Sequence, residues 1–117
     1  MIEYKTRVRV MNPMGLHARP GVSIVRCAQA HRPTELELRC LTTNSKALGH
    51  SLLSILSLGA GRDSEIELIT RGPRADELLK AVKQLFETGF ASTEGANESD
   101  NEEIVARRAN LQRAGDR

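Results

Sequence analysis

Between Ile2 and Val10 the even positions are Ile2, Tyr4, Thr6, Val8 and Val10, and the odd ones are Glu3, Lys5, Arg7 and Arg9. A period of two is that of a strand with one face inward and the other toward solvent or a partner. Two further runs keep this period. From Thr34 to Cys40, Leu36, Leu38 and Cys40 oppose Glu35, Glu37 and Arg39; from Asp63 to Thr70, Ser64, Ile66 and Leu68 oppose Glu65 and Glu67. Helical spacing fills the intervals. Val22, Val25 and Ala28 or Gln29 recur, with Ile24 and Cys27 widening the apolar face, until His31-Arg32-Pro33 stops the run. Leu78, Leu79, Val82, Leu85 and Phe86 recur after Gly72-Pro73, with Asp76 and Glu77 in the first turns and Gly89 at the end. Ser51 to Gly59 reads as a shorter helix with Ser51 as its N-cap. Its leucines exceed one helical face, so Leu52 or Leu53 is expected to be at least partly exposed, as a docking patch or as a half-buried core edge. Thr42-Thr43-Asn44-Ser45 is turn-like, and Lys46-Ala47-Leu48 can pair back as a brief strand before Gly49. The order strand, helix, strand, short strand, short helix, strand, helix fits an α+β fold, an antiparallel sheet with helices over one face.

Composition bounds what such a fold can do. With 117 residues, 39% of them apolar, the chain supports one core. A formal charge of +2 and three aromatic residues argue against a nucleic-acid partner. Cys27 and Cys40 lack CxxC spacing and read as small core residues rather than a disulfide. No apolar run approaches a membrane span, and Met1-Ile2-Glu3-Tyr4-Lys5 lacks the apolar core of a signal peptide, so a cytoplasmic protein without membrane insertion is expected. Charge shifts along the chain: residues 1–90 hold 13 Lys and Arg against 9 Asp and Glu, whereas 91–117 hold 4 against 6. The boundary falls where composition turns small and polar, so 1–90 is read as the domain and 91–117 as an extension. Within the extension, Ala91 to Ser99 reads as a linker, and Ser99-Asp100-Asn101-Glu102 offers a capping box for a short helix with a thin apolar face of Ile104, Ala109 and Leu111.

The chemistry concentrates in Asn12-Pro13-Met14-Gly15-Leu16-His17-Ala18-Arg19-Pro20. Asn12, Pro13 and Gly15 make a turn, and Pro20 is tolerated only in a helix's first turn, so the helix is expected to begin near Ala18 with His17 at the N-cap. An imidazole there has helix amides beside it, the positive end of the helix dipole below it and the Arg19 guanidinium within reach. Those are the parts of a phosphate site with a nucleophile at its centre. His31 and His50 have no Asp, Glu or Cys at ligand spacing; both are read as surface residues and no metal site is expected.

Gly15-Leu16-His17-Ala18-Arg19-Pro20, followed by Ser51-Leu52-Leu53 and Leu56-Ser57-Leu58-Gly59, closely resembles the histidine-containing phosphocarrier (HPr) family of the phosphoenolpyruvate-dependent sugar phosphotransferase system. The resemblance spans roughly residues 1–90. It implies an open-faced β-sandwich, a four-stranded antiparallel sheet of order 1-4-2-3 with three helices on one face, and that order would set Glu65 and Glu67 beside Arg7 and Arg9. It implies a carrier that is a substrate of enzymes and needs no cofactor. His17 would take a phosphoryl group on its δ1 nitrogen from Enzyme I, with Arg19 assisting, and pass it to a IIA-type acceptor. In part of the family a dedicated HPr kinase/phosphatase modifies the serine that Ser51 matches, which makes Ser51 a candidate regulatory site beside its capping role. The implied docking surface adds Arg26, Leu52, Leu53 and Leu56 to His17 and Arg19.

Two other readings compete. A related nitrogen-regulatory relay uses a similar carrier, and the sequence does not separate the branches. A regulatory interaction protein controlled at Ser51 belongs to a different class, and the intact His17-Ala18-Arg19 motif argues against it. With one such His, no paired base and no nucleotide loop, an independent enzyme lacks the apparatus. The interval from His17 to Ser51 is a few residues longer than in many relatives, which leaves the register of the brief third strand open. The segment after Gly89 has no counterpart in a minimal carrier.

Overall fold

The computed structural model describes residues 2–90; the linker and short helix expected over 91–117 lie outside the described residues. In chain order the elements are β1 (Glu3–Arg9), α1 (Ala18–Ala30), β2 (Glu35–Cys40), β3 (Ser45–Leu48), α2 (Leu52–Leu56), β4 (Glu65–Arg71) and α3 (Ala75–Glu87). The four strands form one antiparallel sheet of order β1-β4-β2-β3. This is the expected open-faced sandwich. The register pairs Arg7 with Glu67 and Arg9 with Glu65, as the order implied, and resolves the third strand by setting Ala47 opposite Leu38 and Leu48 opposite Glu37.

The alternating apolar residues close one core. Val8, Leu36, Leu38, Cys40, Ala47, Ile66 and Leu68 face Ile24 and Ala28 of α1, Ile55 of α2, and Leu78, Val82 and Phe86 of α3. Phe90, beyond the last helix, is fully buried with them, its ring edge-on to Phe86 at 5.0 Å. The turn that brings it back is a Schellman cap: Gly89 has φ +66°, its N–H donates to Phe86 O at 3.0 Å, and the Phe90 N–H donates to Leu85 O at 2.8 Å.

Several local expectations change. Ile2 and Tyr4 are 61% and 42% exposed, because β1 is an edge strand and the helices cover only its second half. Ile69, in phase with Glu65 and Glu67, is fully buried on the open side, flanked in register by Lys5 of β1 and Glu37 of β2, whose aliphatic stems can cover it. The last helix starts at Ala75 rather than at Gly72-Pro73: Gly72 takes φ +127° against the Thr34 backbone, and the Arg74 N–H donates to Thr34 Oγ1 at 3.0 Å. Cys40 is buried, but Cys27 only half-buried at the core's edge, and both are free thiols. His31 is half-buried rather than a plain surface residue, its Nδ1 2.8 Å from the Cys27 carbonyl oxygen.

The open face of the sheet is a lattice of opposite charges. Arg71 donates to Glu3 Oε2 at 2.8 Å and to Glu37 Oε1 at 3.1 Å, and Arg39 reaches Glu37 Oε2 at 3.2 Å. Burial pushes the Glu37 carboxyl up, but the hydrogen bonds and charges of Arg71 and Arg39 outweigh it and hold the group below the ordinary carboxylate value. Between the folded and unfolded values the unfolded chain binds the extra proton, so stability rises with pH in that window and is lost as pH falls through the folded value. Glu37→Gln is therefore expected to flatten the acid limb of stability against pH measured by urea denaturation. An unchanged limb would show that the Arg71–Glu37–Arg39 cluster carries no linkage.

Candidate functional site

His17 caps α1 with extended backbone, φ −93° and ψ −165°. Its N–H donates to Gly15 O and its carbonyl accepts from the Gly21 N–H, both at 3.0 Å. The imidazole makes no capping hydrogen bond to the helix, and the side chain is half-buried. Ala18 and Arg19 therefore supply the first-turn amides, Pro20 supplies none, and the first turn holds no acidic residue to occupy the positive helix end. An anion bound at this helix start would meet the first-turn amides, with the half-buried Arg19 at the second position of the helix.

The turn before the helix is fixed by backbone. Gly15 has φ +73°, and a Cβ on it would lie 2.4 Å from Ala60 O and 2.8 Å from Gly61 Cα. The Leu16 N–H donates to Ala60 O and the Gly15 N–H to Asn12 O, each at 3.0 Å. Asn12, itself buried, donates through Nδ2 to Gly89 O at 2.8 Å, so the site turn is tied to the end of α3. The sequence reading treated Asn12 only as a turn residue. Its second role joins residues far apart in the chain and has no signal in the local sequence.

The second element is α2. A Cβ at Gly21 would lie 2.7 Å from Leu52 Cδ1, with Ile55 Cγ2 at 3.8 Å and Leu56 Cδ2 at 3.9 Å, so α2 rests on the first turns of α1. Leu52 is half-buried there, while Leu53 is 74% and Leu56 40% exposed. Arg26 is exposed two turns beyond Arg19 on the same helical stripe, about 10 Å along the axis. Met14, which sequence reasoning did not single out, is 75% exposed in the turn itself. The helix is shorter than expected, ending at Leu56, with Gly59 at φ +67° turning the chain toward Ala60.

Ser51 is the N-cap of α2, its Oγ accepting from the Ser54 N–H at 3.1 Å. The Leu48 N–H donates to Ser54 Oγ at 2.9 Å, and the Ser51 N–H donates to Leu48 O at 3.1 Å. These three bonds close a ring between the start of α2 and the end of β3. They also occupy the outward N–H and C=O of Leu48 on an edge strand. His50 beside Ser51 is exposed, and among the described residues no cluster of His, Cys, Asp or Glu could hold a metal ion.

The chain is thus an open-faced α+β sandwich with His17 presented at a helix start and the aliphatic helix α2 beside it. The comparisons with known proteins name its kind. The family model for the PTS HPr component phosphorylation site matches residues 4–88, and the chain belongs to that family. The phosphocarrier protein HPr of Treponema pallidum is 34% identical over 84 residues, covering 71% of this chain and 91% of the relative. The phosphocarrier protein NPr of Escherichia coli is 33% identical over 86 residues, 74% and 93% of the two chains. The crystal structure of HPr-C-His from Thermoanaerobacter tengcongensis superposes with a TM-score of 0.68 at 28% identity, covering 74% of this chain and 94% of that one.

Gly15→Ala is expected to cost about 1–3 kcal/mol, through the left-handed φ and the Ala60 contact together. Gly61, whose Cβ would meet nothing within 4 Å, is the matched control: Gly61→Ala should stay within about 0.5 kcal/mol. Equal losses in urea denaturation would remove the Ala60 approach as the reason for glycine at 15.

Proposed function

We propose that this chain is a phosphocarrier of the phosphotransferase system in which His17 accepts a phosphoryl group from phosphorylated Enzyme I and yields it to a IIA-type acceptor. The observation that carries this reading is His17 at the N-cap of α1, with its imidazole uncommitted to capping and Arg19 two residues on, in a chain of the HPr family. A neutral imidazole nitrogen attacks phosphorus in line, the N–P bond to His17 Nδ1 forms as the donor's bond to phosphorus breaks, and the onward step reverses the roles. Arg19 and the Ala18 and Arg19 amides hold the phosphoryl oxygens during exchange. The protein supplies position and charge and turns over nothing on its own, so it acts as a substrate of its partners. The carrier unit is 1–90, with 91–117 appended, and it works in the cytoplasm; no helix among the described residues is long and apolar enough to cross a membrane.

Leu52, Leu53, Leu56 and Arg26 form the partner surface, aliphatic groups for brief burial beside basic groups that steer acidic partners. Ser51 is the regulatory site for an HPr kinase/phosphatase: a phosphate there adds about −1.5 to −2 charges at the positive end of α2, is tolerated locally, and changes the electrostatics of the neighbouring surface and so the choice of partner. A second carrier reading, the nitrogen-regulatory relay, is favoured by the NPr relative, which aligns at nearly the same identity as the HPr one.

Incubated with phosphoenolpyruvate and Enzyme I, the protein should take up acid-labile phosphate, and His17→Ala should take up none while keeping its circular dichroism and melting transition. An unfolded His17→Ala would instead mark His17 as a structural cap. Ser51→Asp should slow acceptance from Enzyme I by about tenfold or more, a cost of at least ~1.4 kcal/mol in transfer. An unchanged rate would take Ser51 out of the docking surface.

A further inference from the structure

The family match ends at residue 88, yet the chain continues to Arg117. The described domain ends at Phe90, and the Asn12 side chain holds Gly89 O at 2.8 Å. Asn12 O in turn holds the Gly15 N–H, and Gly15 O the His17 N–H. The extension therefore starts beside the His17 turn, three hydrogen bonds from the imidazole's own backbone. Its sequence is patterned. Glu94, Glu98, Asp100, Glu102 and Glu103 come before any Lys or Arg, and Ile104-Val105 follow them directly.

The face around His17 is the complement. Met14, Leu53 and Leu56 are exposed, and Arg26 and Arg62 make no ion pair among the described residues. Arg62 adjoins Gly61, whose Cα lies against the Gly15 position. Five acids of the domain already hold cations: Glu3 and Glu37 hold Arg71, Glu65 holds Arg9, Glu77 holds Arg74 and Glu87 holds Lys83. Residues 91–103, thirteen in number, span at most about 45 Å when extended, ample for a surface whose two α1 arginines are about 10 Å apart. Tethered this closely, the segment's effective concentration at that face is of the order of millimolar.

We propose that residues 94–105 dock in cis on the His17 face, carboxylates toward Arg26 and Arg62 and Ile104-Val105 against Leu53 and Leu56, and so compete with the carrier's partners. The competition rests on the phosphocarrier reading; the docking does not. A docked segment lowers the fraction of chains open to Enzyme I and slows phosphoryl acceptance in proportion. Being a contact of exposed charges, it weakens as salt rises.

The test uses the full chain and a full-length variant carrying Glu94→Gln, Glu98→Gln, Asp100→Asn, Glu102→Gln and Glu103→Gln. The amide resonances of Met14, Leu53 and Arg62 should differ between the two at low salt, independently of protein concentration, and converge at high salt. The variant should accept phosphate from Enzyme I about two- to tenfold faster at low salt. Coincident resonances at all three positions would overturn the docking. Differences that grow with protein concentration would overturn docking in cis in favour of contact between copies. Differing resonances with equal rates would overturn the competition. Should neither chain take up phosphate while the resonances differ, the carrier reading fails and the docking stands. Uptake on His17 with coincident resonances fails the docking alone.

Discussion

The geometry of the candidate site depends on one close backbone approach, Gly15 against Ala60. The loop leaving α2 and the turn entering α1 meet there, with the Leu16 N–H on Ala60 O at 3.0 Å and no room for a side chain at residue 15. A histidine at a helix start is only a cap unless its surroundings are fixed relative to it. This approach fixes them: it pins α2 beside the first turn of α1 at a second point, the first being Gly21 under Leu52. His17 and the leucines of α2 thus belong to one rigid patch although more than thirty residues separate them in sequence.

The two faces of the sheet divide the work. The helix side holds the apolar core, while the open side is knit by Arg71, Glu3, Glu37 and Arg39, and Ile69 is buried on that side. Exposed pairs of this kind contribute about 0–1 kcal/mol each, so the lattice adds little stability beside the core. Its larger effect is to fix register: a one-residue slip of β4 would set Glu65 and Glu67 out of line with Arg9 and Arg7 and turn Ile66 and Leu68 to solvent. The β3 edge is closed differently, by Ser51 and Ser54 bonding Leu48. The cap of α2 and the end of the sheet are therefore one construction, and a change at Ser51 is felt at both.

Most of this was legible because the signals are periodic or chemical. The alternation in β1, β2 and β4 located the strands, Pro20 located the start of α1, and charge along the strands agreed with the sheet order. What escaped depends on contacts between distant segments. Nothing local distinguishes Ile69 from a residue at the wrong phase, since its register neighbours, Lys5 and Glu37, stand on strands distant in sequence. Phe90 lies past the glycine that ends α3, where periodicity stops, and only the Schellman turn returns it to the core. Tyr4 has the right phase but stands on an edge that the helices do not reach. In the candidate site, the N-cap position of His17 was readable from Pro20, whereas the link from Asn12 to Gly89 joins residues seventy-seven apart and has no local signature.

In the proposed role the site must hold a phosphoryl group well enough to receive it and loosely enough to release it. Pro20 bears on that balance. It occupies the third position of α1, where another residue would add a third amide at the helix end, and it contributes none. Each charge-assisted hydrogen bond to a phosphoryl oxygen is worth about 1.5–3 kcal/mol, so a further donor would deepen the phosphorylated state by a factor of ten or more. The same ring sets φ near that of a helix and begins α1 directly behind His17 without a side-chain cap. One residue thus positions the nucleophile and limits the grip on what it carries, which is the combination a reversible relay requires.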